Sequence, residues 1–270
     1  RDSGETKELA ASAAEPSRKV EIAAGKHTIG LDEQTRAFIL QTCNKISDDP
    51  DKECDQDKLL AGEFPQRIVE LPAYKLDSKE VTQAEYAACV AAGKCEPLQM
   101  KDCAVYTVSG LQVGMRVPKS MEAPELPAIC LTRQQAAAYC AHAGGQLPTH
   151  DQWERAARGP DALLFPWGGN WDPNITNWGE QDLARTLVSG KIDGFAWTAP
   201  PGAYPDGKSA EGIHDLAGNV AEWVAGDDPA VSTARGGAWS SNPFDLRATR
   251  RHDLKPDTRR ADIGLRCAYP

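Results

Sequence analysis

Arg235-Gly236-Gly237-Ala238-Trp239-Ser240-Ser241, running on through Arg247, Arg250 and Gly264-Leu265-Arg266-Cys267, is the stretch on which the reading of this chain turns. Its arginine density is unusual: positions 235, 247, 250, 251, 259, 260 and 266. Guanidinium groups are planar bidentate donors, suited to anchoring loops through carboxylates or carbonyls. That structural role is expected of Arg235 and Arg266. For Arg247, Arg250 and Arg251 two roles stay open, loop anchoring or gripping an anionic peptide or glycan. Ser240 and Ser241, with His252 and Asp253 downstream, suggest a Ser–His–Asp arrangement. The nucleophile-elbow pattern and an identifiable oxyanion site are missing, so two serines hydrogen-bonding in a tight loop is the preferred reading.

Working outward, the 270 residues suffice for one domain with a sizeable core, and the 41% hydrophobic fraction is ordinary for a soluble globule. No apolar run approaches the ~20 residues of a membrane helix, and the polar opening Arg1-Asp2-Ser3-Gly4-Glu5 carries no secretory signal. A net charge of −9 argues against general nucleic-acid binding. From Arg235 onward, eight Lys/Arg face four Asp/Glu, a local excess that fits surface ion pairing better than an anion-binding rim. Eight cysteines (43, 54, 89, 95, 103, 130, 140 and 267) contain no Cys-x-x-Cys pair, and the five histidines are scattered. An even count without zinc spacing points to disulfides and an oxidising location: periplasmic, cell-surface or secreted. Connectivity is not readable from one sequence; proximity favours Cys43–Cys54, Cys89–Cys95 and Cys103–Cys130.

Along the chain, residues 1–18 read as a flexible linker or tether, following an anchored start through which the chain is held, and 19–270 as the domain. Val20-Glu21-Ile22 begins the fold as a strand. The acidic Ser47-Asp48-Asp49-Pro50-Asp51 fits no hand-type calcium loop and reads as solvated. Arg67–Leu71 and Tyr74–Asp77 look like strands. Three capping boxes, Thr82–Glu85, Thr132–Gln135 and Thr149–Gln152, open helices that end at Gly93, Gly144 and Gly159. They turn Tyr86 and Val90, then Ala136, Tyr139 and Cys140, then Trp153 and Ala156 inward. All seven tryptophans lie between Trp153 and Trp239, in a stretch of weak periodicity that ring packing, turns and ions must hold.

Ordered blocks then accumulate: Glu80-Val81-Thr82-Gln83-Ala84-Glu85-Tyr86, Gly145-Gln146-Leu147-Pro148-Thr149, Trp153-Glu154-Arg155-Ala156-Ala157-Arg158-Gly159, Phe165-Pro166-Trp167-Gly168, Thr176-Asn177-Trp178, Asp193-Gly194-Phe195 and Gly212–Trp223, closed by the Arg-Gly-Gly segment. In this order they resemble the formylglycine-generating enzyme, or sulfatase-modifying factor, family from about Val20 to Cys267. The resemblance implies an α+β, C-type-lectin-like fold in its enlarged form, with much irregular structure, and a Cys140–Cys267 disulfide. It also implies two structural calcium ions. One set would be Asn177 and Asp193 side chains with Trp178 and Phe195 carbonyls. The other would be Asp215 and Glu222 carboxylates with Gly218 and Val220 carbonyls, unless these acids merely cap turns.

The family's oxidases hold copper on two cysteines, and the matching positions here are Ser241 and Leu246. Cuprous ion requires soft thiolates, so no copper and no formylglycine oxidation are expected. Sulfoxide synthases of this fold need a separate histidine-bearing helical domain, for which the chain has no room. The resemblance therefore implies an extracytoplasmic binding or scaffold domain, whose groove of Trp239, Ser240, Ser241, Arg247, Arg250, Arg251 and His252 holds a protein, peptide or glycan. The alternative is a divergent enzyme modifying a peptide or small molecule in that groove without thiols. A pocket under Trp239, open and titratable or filled by side chains, would discriminate between them.

Overall fold

The computed structural model describes residues 19–46, 51, 54–107, 109–179, 192–226, 228 and 230–270. The linker expected over 1–18 and all but Asp51 of the acidic excursion lie outside the described residues. In chain order the elements are β1 (Lys19–Ile22), β2 (Gly25–Ile29), α1 (Glu33–Ile46), α2 (Gln56–Leu59), β3 (Arg67–Leu71), β4 (Tyr74–Asp77), α3 (Gln83–Ala91), β5 (Cys103–Thr107), β6 (Gly110–Met115), α4 (Arg133–His142), α5 (His150–Arg158), β7 (Ala221–Trp223), β8 (Ser232–Arg235), β9 (Arg251–Leu254), β10 (Ile263–Gly264) and β11 (Ala268–Tyr269). This is an α+β architecture of short strands, few helices and long irregular connections.

The helix starts obey local chemistry. Thr82, Thr132 and Thr149 each accept a bond from the amide of the third helical residue, whose own side chain reaches back to the cap amide. Their inward faces are apolar at helical spacing: Tyr86 and Cys89 on α3, Ala136 and Cys140 on α4, Trp153 and Ala156 on α5. Helix α5 also buries Glu154, Arg155 and Arg158, which pattern reading did not anticipate. Each finds partners: Glu154 accepts from the Gly30 amide at 2.6 Å and from Arg235 at 2.7 Å, Arg155 donates to His27 Nδ1 at 3.0 Å, and Arg158 donates to the Gly30 carbonyl at 2.7 Å.

A three-stranded antiparallel sheet runs in the order β1-β4-β11, so the first and last strands flank one central strand. A four-stranded sheet runs β10-β7-β8-β9, with β10 parallel to β7 and the rest antiparallel. Between α5 and β7 the chain has no strand or α-helix among the described residues, and aromatic contacts take over. Phe165 stacks on Trp167 at 5.3 Å, Trp171 meets Trp178 edge-on at 5.3 Å, and Trp197 meets Trp239 at 4.9 Å.

Four disulfides join Cys43–Cys54, Cys89–Cys95, Cys103–Cys130 and Cys140–Cys267, the pairing expected. The last ties the buried face of α4 to the residue ahead of β11 across 127 residues, and Cys89–Cys95 closes only 6. Loop-closure entropy then predicts that losing Cys140–Cys267 to serines costs about 5 kcal/mol, against about 2 kcal/mol for Cys89–Cys95. Denaturant titration of the two double-serine variants checks that ordering.

Candidate functional site

The turn at Gly236–Ser241 fixes the centre of the candidate site. Gly237 has φ +65°, and a Cβ there would strike the Asp245 carbonyl and the Leu246 side chain, both at 2.7 Å. Ser241 closes the turn. Its amide donates to the Ala238 carbonyl at 2.8 Å, its hydroxyl accepts from the Ala238 amide at 3.0 Å, and its carbonyl accepts from the Gly179 amide. Leu246 is 0% exposed and packs with Phe165 and Ala217, flanked by Trp167, Trp171 and Trp178. The two positions expected to matter for copper are thus a turn clasp and a core leucine.

The other expected groove residues are dispersed. Trp239 is 2% exposed, donates to the Ala261 carbonyl at 3.2 Å and lies in a cluster with Cys103, Val105, Met121 and Val220, so the space beneath it is filled. Arg247 is buried on Glu63, with Nε at 2.7 Å, and also donates to the Leu59 carbonyl at 2.6 Å; it anchors the chain after α2. Arg250 bonds Asp245 at 2.9 Å and the Leu59 carbonyl at 3.0 Å. Loop anchoring is therefore what both do. Arg251 is half-buried on β9 opposite Arg235.

No Ser–His–Asp relay forms. Ser240 donates to Asp262 at 2.6 Å, and Asp253 accepts from Thr233 at 2.6 Å. Burial chiefly lowers the His252 imidazole to about 4, against the opposing pull of Asp245. A neutral imidazole so weakly basic is a poor general base at neutral pH. A groove of about 390 Å3 opens elsewhere, between α3 and the Pro97–Met100 segment, lined by Tyr86, Ala87, Val90 and Leu98.

The first calcium set is brought together. Asp193 accepts from the Trp178 amide at 3.1 Å and the Phe195 amide at 2.9 Å, pinning its carboxylate beside both residues. Asn177 is 1% exposed, and its Oδ1 is a buried oxygen with no hydrogen-bond partner. A buried amide oxygen left unbonded costs about 1–3 kcal/mol, unless a cation takes it. Gly218 makes the approach possible, because a Cβ at its φ of +90° would collide with the Asn177 carbonyl and the Thr176 hydroxyl. An amide oxygen, a carboxylate and backbone carbonyls are hard donors that fit calcium.

The second set is arranged differently. Both Glu222 oxygens accept from Arg266, at 2.6–2.8 Å, and Oε2 also accepts from Trp153 Nε1 at 2.7 Å. Asp215 accepts from the Gly202 amide at 2.6 Å. Glu222 is thus the counter-ion of a buried guanidinium. Among the described residues, no cluster of three or more His, Cys, Asp or Glu side chains is arranged to hold a metal.

Pattern reading missed the polar core around this centre. Glu80 is buried against Asn219 and the Val220 amide. Burial, then the Asp215 and Glu222 carboxylates, push it well above the usual range. The signal lay in the sequence, since Glu80 heads one of the quoted blocks and Asn219 sits within another. Glu63, which holds Arg247 and Thr249, stands in no block at all.

A disulfide-stapled α+β domain with a closed thiol-free turn and a loop group of hard oxygen donors is the class these features define. The sulfatase-modifying factor enzyme 1-like domain matches residues 6–269, and the chain belongs to that family. It is 35% identical over 161 residues to inactive C-alpha-formylglycine-generating enzyme 2 of Bos taurus, covering 53% of this chain and 50% of that protein. With formylglycine-generating enzyme of Bos taurus it shares 26% over 307 residues, covering 94% and 75%. The chain thus spans about half the length of the first of these relatives. Among solved structures, PvdO from Pseudomonas aeruginosa superposes with TM-score 0.66 at 20% identity, covering 95% of this chain and 99% of that one. Treponema denticola variable protein 1 gives 0.62 at 17%, covering 94% and 95%. At such identities the likeness speaks for the fold. The four disulfides fit an oxidising, extracytoplasmic compartment. No helix among the described residues is long and apolar enough to cross a membrane.

The buried charges predict a pH response. Asp77 accepts from the Cys267 amide at 3.0 Å, and burial lifts its carboxyl to about 6 despite that bond and Arg266. An unfolded aspartate titrates at about 3.9, so the folded state binds the proton more tightly. Asp77 therefore adds stability as pH falls through 6, reaches its full effect below about 4, and loses it as pH rises. Melting temperatures of wild type and Asp77→Asn across pH 4–8 should show a flatter profile for the variant.

Proposed function

We propose that this chain is a non-oxidase member of its family, an extracytoplasmic domain that binds a protein, peptide or glycan and is stabilised by disulfides and by calcium at the Asn177–Asp193 group. One observation carries the reading: the positions where copper-binding thiols would stand are a turn-closing serine and a leucine sealed among tryptophans. Cuprous ion binds soft sulfur, and neither a hydroxyl engaged in its own turn nor an alkyl chain supplies it. The relative named inactive C-alpha-formylglycine-generating enzyme 2 supports a family branch without the oxidation. The open groove beside α3, apolar with Gln83 and Glu122 among its lining residues, supports a binding role.

Calcium in this reading fixes loops. Asn177 and Asp193 would hold it with the Trp178 and Phe195 carbonyls, and the ion would neutralise Asp193 in a stretch where no strand ladder stands among the described residues.

The test pairs cuprous-ion titration with an oxidation assay on a cysteine-containing sulfatase peptide. The wild-type chain should take up no stoichiometric copper and leave the peptide thiol unoxidised. Tight one-to-one copper binding, or formylglycine in the product, would overturn the proposal.

A further inference from the structure

The orphaned Asn177 oxygen points away from Trp197 and Asn219 because its neighbours leave it no other orientation. The constraint begins at backbone groups whose roles are fixed. The Ala199 amide can only donate, and it donates to Asn219 Oδ1 at 2.8 Å. The Ala199 carbonyl can only accept, and it accepts from Asn219 Nδ2 at 3.1 Å. Glu80 reinforces that choice, with Oε2 accepting from Asn219 Nδ2 at 2.8 Å while Oε1 accepts from the Val220 amide at 3.2 Å. Asn219 therefore turns its oxygen toward Asn177. Asn177 must answer with its amino end, and its Nδ2 donates to Asn219 Oδ1 at 3.1 Å and to the Trp197 carbonyl at 2.8 Å. Two acceptors on one side leave Oδ1 on the other, buried and unpartnered. The main chains are stitched as well, the Asn219 amide donating to the Asn177 carbonyl at 2.9 Å.

We infer that Asn219, locked by Glu80 and Ala199, is a positioning residue for a bound cation, holding the Asn177 amide so that only its oxygen can meet the ion. The inference rests on the calcium reading above and adds residues that do not touch the ion. Ligand-orienting partners of this kind typically contribute 10–100-fold to metal affinity. Asn219 also sits at φ +57°, a conformation open to glycine, so Asn219→Gly removes the side chain while suiting the backbone.

The experiment is a double-variant cycle read by calcium affinity, using isothermal titration of chelator-stripped protein with calcium alone. Asn219→Gly should weaken binding at least about tenfold in the natural background. The carboxylate introduced by Asn177→Asp presents an oxygen to the ion in either orientation and meets Asn219 Oδ1 as acceptor against acceptor, so Asn219→Gly should cause no loss of affinity in that background. Equal losses in both backgrounds would overturn the positioning role and leave Asn219 a structural residue only. No calcium binding by wild type would overturn the calcium reading and this inference with it. Near-ultraviolet circular dichroism and thiol titration establish that each variant is folded. Should Asn219→Gly not fold, Glu80→Gln replaces it in the same cycle, because an amide there sets donor against donor at the Val220 or the Asn219 contact. It should give a loss in the same direction, again abolished in the Asn177→Asp background.

Discussion

Arg266 and Glu222 form the contact on which the two larger sheets depend. Both are buried, and the guanidinium meets the carboxylate through three hydrogen bonds at 2.6–2.8 Å. Arg266 also donates to the carbonyls of Asp77, at 3.0 Å, and His214, at 2.7 Å. One side chain thus joins the segment before β11 to the end of β4, to the loop before Asp215 and to β7. Separating a buried pair leaves an uncompensated charge at a cost of roughly 3–5 kcal/mol, so the C-terminal segment cannot easily shift. The Cys140–Cys267 disulfide lies one residue on and fixes the same segment to α4.

That rigidity explains how the centre changes character without loss of the fold. The Arg235–Ser241 turn is held from behind by Arg235, which bonds Glu154 at 2.7 Å, and by Trp239 on the Ala261 carbonyl. Nothing in this support requires sulfur at 241 or 246. Leucine at 246 joins the apolar cluster of Phe165 and Ala217, and serine at 241 clasps its own turn. The reactive positions of an oxidase become packing and hydrogen-bonding positions, on a frame whose anchors lie outside them.

Legibility in the sequence followed the range of the forces. The capped helices were readable because their signals are local, a threonine and its partner three residues on. Helix α1 and the β5–β6 hairpin were missed. Helix α1 is capped by Asp32, which accepts from the Thr35 amide at 2.7 Å, but no Glu or Gln stands at position 35 to complete a capping box; in β6 Leu111, Val113 and Met115 all remain exposed, so no buried face marks that strand. Arg247 looked equally suited to a groove or an anchor, and only Glu63, 184 residues away, decides between them. The orientation of Asn177 was illegible for the same reason. It is set by Trp197 and Asn219, and through Asn219 by Glu80, 139 residues from it in sequence.

Metal identity is the central claim: a hard-donor loop group kept, a soft-donor centre lost. Metal content of chelator-free protein, by inductively coupled plasma mass spectrometry, tests this most directly. Calcium at about one ion per chain without copper is the result predicted by the hard-donor group around the unpartnered Asn177 oxygen. Stoichiometric copper without calcium would contradict both halves of the claim.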